Sequence, residues 1–141
     1  MDEVQLRFLT AQALYGGDLQ ERSGAIQLLR QGHLTAADIA AIGIRVELAL
    51  SCQDEYVRSA AAMLLAGLVD RIPASPTITA ALLDLSHSAA AFPRESALRA
   101  IKYLHERGFG LSHEDVAALD QRLVEARQVE GEGFALSLFD E

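Results

Sequence analysis

Apolar residues recur at three- and four-residue intervals along most of this chain, the spacing that lays one stripe along a helix. Breakers divide the pattern into seven helical stretches. The first covers about Asp2 to Leu14, with Val4, Leu6, Leu9, Ala13 and Leu14 offered for burial, and Gly16-Gly17 ends it. Asp18 and Glu21 form a capping-box arrangement for a second helix, which reaches Gln31 and stops at Gly32. Thr35 and Asp38 repeat the device before a third helix at about 36–50, and Asp54 caps a fourth that runs through Asp70. Ser75-Pro76 puts a cap residue ahead of a proline at the first helical position, so a fifth helix runs from there to about Ser86. The Ala89-Ala91 run reads as helix or linker, and Pro93 restarts the chain as a sixth helix ending at Gly108. Ser112 caps a seventh, which extends to about Val129.

The connections are short, which predicts antiparallel neighbours in one domain spanning 1–141. A period of 36 runs through the pattern, marked by Arg22, Arg58 and Arg94. Ala25, Ala61 and Ala97 follow at equal offsets, then Leu28, Leu64 and Ala100, then Leu29, Leu65 and Ile101, then Gly32, Leu68 and Leu104. These positions stand at i, i+3, i+4 and i+7 of one helix, and the early small residue lets two helix axes approach. A segment starting Leu34-Thr35-Ala36-Ala37-Asp38 is echoed 77 residues later from Leu111. A period of this length suits stacked helix pairs, because one pair alone cannot bury its apolar faces.

Asp54-x-x-Val57-Arg58-x-x-Ala61-Ala62-x-Leu64-Leu65-x-x-Leu68 resembles the second helix of a HEAT repeat. Asp18-x-x-Glu21-Arg22-x-x-Ala25-Ile26-x-Leu28-Leu29 is a weaker copy, and in the third, Pro93-Arg94-x-x-Ala97-Leu98, Ala90 stands where the aspartate is expected. The resemblance covers about residues 1–108. It implies an all-α, right-handed superhelix of about three stacked helix pairs (about 2–31, 35–70 and 76–107), closed by a helix at 112–129. It also implies a structural ladder of Asp18, Arg22, Asp54, Arg58 and Arg94, with the arginine-bearing helices lining the concave side.

The non-core columns of those helices supply candidate binding residues: Tyr56, Met63, Phe92, Arg99, Lys102 and Tyr103. They mix aromatic, thioether and cationic groups, a composition common at binding faces. Arg94, Arg99, Lys102 and Arg107 make the sixth helix locally basic, fit for an acidic loop, a small anion or a partner's carboxylates.

Composition agrees with helices: 24 Ala and 22 Leu stand against 3 Pro and no Trp. The single Cys52 excludes an internal disulfide and points to a reducing, cytoplasmic setting. A formal charge of −8 repels a phosphate backbone, so nucleic acid is an unfavoured partner. No stretch is apolar enough for a membrane span. Eight acidic side chains against Arg122 and Arg127 between Glu114 and Glu141 give that segment a net −6 and suit a basic protein partner. Small acidic helical proteins of the bacterial immunity or antitoxin type have this character. The apolar tail over 134–139 folds back on the stack, or joins copies of the chain through Phe134, Leu136, Leu138 and Phe139.

Reactive chemistry has weak sequence support. No two of the four histidines are three or four residues apart, so neither a metal site nor a cofactor is expected. Glu130-x-Glu132 reads as a solvated exit from the seventh helix, and Cys52 as a quiet thiol. The reading is therefore a non-enzymatic protein-binding module without catalytic residues. A scaffold or oligomer component joined through the tail is the alternative, and a groove-sited enzyme is less favoured.

Overall fold

In the computed structural model, residues 1–129 and 131–137 are described. They form eight helices and, among the described residues, no strand: α1 (Glu3–Tyr15), α2 (Leu19–Gln31), α3 (Ala36–Leu50), α4 (Glu55–Gly67), α5 (Pro76–Leu85), α6 (Ala91–Arg107), α7 (His113–Gln128) and α8 (Glu132–Ser137). The fold is all-α and multi-helical. No described helix is long and apolar enough to cross a membrane.

Side chains start most of these helices by satisfying amides that the helix itself leaves unpaired. Asp2, Asp18, Asp54, Ser75 and Ser112 each accept from first-turn backbone N–H groups. At α3 the exchange is reciprocal: the Thr35 hydroxyl accepts from the Asp38 amide, and the Asp38 carboxylate accepts from the Thr35 amide. That backbone bond is the main reason the Asp38 carboxyl titrates below its ordinary range.

Two boundaries differ from the sequence expectation. α4 ends at Gly67 rather than Asp70, because the chain turns there to bury Leu68, Val69 and Ile72. α6 begins at Ala91, two residues ahead of Pro93. Proline is harmless in the first turn, where the missing N–H has no partner to lose.

The helices pack as two files. α1, α3, α5 and α7 touch in succession, as do α2, α4, α6 and α8, and each odd helix also touches the even helix that follows it. Contacts stay between near neighbours: α1 and α2 meet no helix beyond α4. One apolar core runs between the files, from Leu6 and Leu14 through Ile42, Leu65 and Leu82 to Leu119 and Leu136. The loops at its side are tied by a bond from the Ala74 amide to the Phe109 carbonyl, at 2.9 Å. Gly110 follows at φ +80°, and a Cβ there would sit 3.3 Å from the Ala74 carbonyl oxygen. Only glycine fits both demands.

Over its described residues, the apolar tail folds back on the stack, and it does so as a helix, α8. It packs on α6 and α7, and Leu136 is buried within its own chain, so Leu136 is not available to join a second copy. Leu138, Phe139 and the side chain of Phe134 lie outside the described residues. Glu132, expected to be solvated, is also turned inward. It takes two bonds from Arg122, at 3.0 and 3.2 Å, and Arg122 is only 5 % exposed. Arg122 donates further to the hydroxyl and the carbonyl of Ser86, so four of its five N–H groups are bonded. A buried cation is tolerable when paired and hydrogen-bonded in this way.

Candidate functional site

α2, α4 and α6 lie side by side, and a groove of about 360 Å³ crosses them. Its position follows from small residues on α4. A Cβ at Gly67 would stand 2.8 Å from Ile26 Cγ2 and 3.4 Å from Arg30 Cδ, so glycine is what lets α2 come this close. Ala66 lines the groove beside it. α2 contributes Ser23, Ile26 and Arg30, α4 and its exit contribute Met63, Ala66, Gly67, Val69 and Asp70, and α6 contributes Arg99, Tyr103 and Arg107.

Charge is unevenly placed here. Among the described lining residues, three arginines stand with one carboxylate, Asp70, in a protein whose formal charge is −8. Two of the guanidiniums bracket one aromatic ring: the Arg107 carbon lies 4.3 Å from the Tyr103 centroid, and that of Arg99 lies 5.6 Å from it. Both distances fall within the range of cation–π attraction, so the ring helps to hold the cations in place. Ile26, Met63, Ala66 and Val69 add apolar groups to a lining that is otherwise mostly polar. The arginines offer paired donors suited to planar anionic groups beside these side chains. It carries neither histidine nor cysteine in its lining.

Of the six binding candidates, the groove brings together Met63, Arg99 and Tyr103. Tyr56 and Phe92 are exposed near the starts of α4 and α6, outside the lining. Lys102 is 3 % exposed and cannot form part of an open basic face. Its helix packs against α4, α5, α7 and α8, leaving little of the circumference to solvent. Arg107 belongs to the basic bias of the sixth helix, and only the fold joins it, with Ser23 and Arg30, to Met63, Arg99 and Tyr103. Asp70 had no distinguishing signal.

The arginines at 22, 58 and 94 do not bond the capping aspartates. Arg22 donates to the Gly16 carbonyl at 2.9 Å, and Arg94 to the carbonyls of Ser88 and Ala89 at 3.1 and 3.2 Å. Each of these two thus staples its helix to the loop before it. Arg58 instead reaches forward to Asp84 at the end of α5, at 2.8 Å. Asp18 and Asp54 spend their carboxylates on backbone amides.

His105 lies 3.6 Å from Asp120 across α6 and α7. Among the described residues, no group of three or more His, Cys, Asp or Glu side chains is arranged to hold a metal. Cys52 is exposed. No protein-family model matches the chain, and no curated protein and no solved structure matches it either.

Proposed function

We propose that this chain is a non-catalytic protein-binding module, a short right-handed stack of helix pairs of the HEAT kind that holds another polypeptide against the α2–α4–α6 face. The observation that carries this reading is the groove itself. It spans three helices and combines Arg, Tyr and Met side chains with the apolar Ile26, Ala66 and Val69; Arg and Tyr dominate binding energy at protein interfaces, and Met adapts to varied partners. Contacts restricted to neighbouring helices support the stacked form.

The formal charge of −8 supports a partner that is basic overall, because an acidic surface steers such a protein and speeds its encounter. An immunity or antitoxin role is one form of this reading, in which the bound partner is a toxic protein covered by the acidic chain.

The test is capture of partners on the full chain, then titration of the one identified against wild type and an Arg99→Ala/Tyr103→Ala double variant. The expected result is affinity weakened by about tenfold or more, with unchanged helical circular dichroism. Equal affinity in both proteins removes the groove from the interface.

A further inference from the structure

We infer that the α2–α4–α6 groove receives an acidic segment of its partner, one in which carboxylates flank an apolar side chain. This deepens the protein-binding reading and rests on it. The observation is an inversion of sign. The molecule is acidic as a whole, yet among the described residues the groove places Arg30 and Arg107, with Arg99 near them, beside one carboxylate, Asp70. Neither Arg30 nor Arg107 belongs to an ion pair among the described residues.

The side chains also have neighbours that support them. The stem of Arg30 lies against the bare backbone of Gly67, where a Cβ would stand 3.4 Å from its Cδ, and Arg107 rests on the Tyr103 ring at 4.3 Å. Support of this kind reduces the freedom lost on binding, and a guanidinium offers paired donors that match the two oxygens of a carboxylate. The same lining also holds Ile26, Met63, Ala66 and Val69, which suit one apolar group better than a fully charged strand.

A polypeptide segment fits this field better than a nucleic acid does. Charge is screened over about 8 Å at physiological ionic strength. A short acidic segment seated in the groove therefore feels mainly the arginines around it. A long polyanion would continue beyond them over the acidic surface that gives the protein its charge of −8. A partner that is basic overall and carries one acidic segment would meet both signs, and alternating sign fixes the register of a complex.

The experiment is selection of a displayed library of random peptides on the intact chain, followed by titration of the enriched peptides by fluorescence anisotropy. Enrichment of Asp and Glu around one Leu, Ile, Phe or Met supports the inference. Affinity should fall by about tenfold in Arg30→Glu and in Arg107→Glu and should weaken as salt is raised, while Arg45→Glu, an exposed site on α3, binds as wild type. Enrichment of Lys- and Arg-rich peptides overturns the acidic chemistry and leaves the protein-binding reading standing. So does wild-type affinity in both groove variants, because the acidic peptides then bind elsewhere. A single-stranded oligonucleotide that binds the groove more tightly than every selected peptide overturns the choice of a polypeptide. Failure of any peptide to enrich, together with a captured partner indifferent to Arg99→Ala/Tyr103→Ala, overturns both readings of the groove.

Discussion

α2 and α4 carry similar residues in the same register, and their surroundings differ sharply. Leu28 and Leu64 stand at matching positions, yet Leu28 is 53 % exposed and Leu64 is fully buried. Gly24 and Ala60 match as well. A Cβ on Gly24 would meet nothing within 4 Å, whereas Ala60 is buried. On α4 the side holding Ala60, Leu64 and Gly67 is the one where Gly67 touches Ile26 of α2. On α2 the corresponding side looks past the end of the file, next to a shallow depression that includes Phe8, Gly24 and Leu28. The same stripe is thus core in the middle and surface at the end. Apolar character made both helices eligible for burial, and a neighbouring helix decided which one received it.

Shortening each leucine should separate the two helices most strongly. Leu64→Ala removes fully packed methyl groups and is expected to cost about 3 kcal/mol in chemical denaturation. Leu28→Ala should cost less than about 1 kcal/mol, since much of its side chain is already in water. Equal losses would mean that the end of α2 is covered in solution, and the contrast drawn between the two helices would fail.

The glycines sharpen it at the next level. Gly67→Ala forces Ile26 or the α2 axis to move and is expected to destabilise by about 1–2 kcal/mol. Gly24→Ala meets open space inside a helix, so the lower entropy of alanine should stabilise by about 0.5–1 kcal/mol. Opposite signs in a pair of melting curves are the result to look for. A stabilised Gly67→Ala would show that α2 and α4 do not need their close approach.

The smallest effect concerns the third member of the series. Asp18 and Asp54 cap α2 and α4, and Ala90 takes the same place before α6 with no side-chain bond. Its backbone, at φ −78° and ψ 136°, lies close to that of Asp54 at φ −75° and ψ 116°. Ala90→Asp should accept from the Phe92 amide, as Asp54 does from Tyr56, and stabilise by about 0.5 kcal/mol. Pro93 has no amide hydrogen, which denies the new carboxylate the second bond that Asp54 makes to Val57. No gain in thermal denaturation would mean that the first turn of α6 is held by its surroundings alone.

Much of the helical layout was legible because its signals are local. Caps at Asp18, Thr35, Asp54, Ser75 and Ser112 act within three residues of themselves, and the structure uses each of them. α8 was not legible. Its six residues follow a glycine-rich turn, and what holds them is the burial of Leu136 and the clasp of Glu132 on Arg122. A hint was present: Arg122 falls among Leu119, Leu123 and Ala126, on the stripe that α7 buries. A cation on an apolar stripe needs an acidic partner from elsewhere in the chain.

The groove shows the same division. The spacing offered Met63, Arg99 and Tyr103 as binding residues and showed the basic bias of the sixth helix, but it also placed buried Lys102 on the open face. It did not join Arg30 with Arg107 in one hollow, nor single out Asp70.

By itself, the amino-acid order determined that this protein is helical, where most helices start, and which residues are apolar enough to be covered. Those properties depend on hydrogen bonds and side-chain spacing within a turn or two of the chain. Helix packing settled which apolar faces are covered, how a buried arginine is neutralised, and that three of the eleven arginines of an acidic molecule share one groove. Each of these depends on residues tens of positions apart, whose meeting is set by how the helices pack.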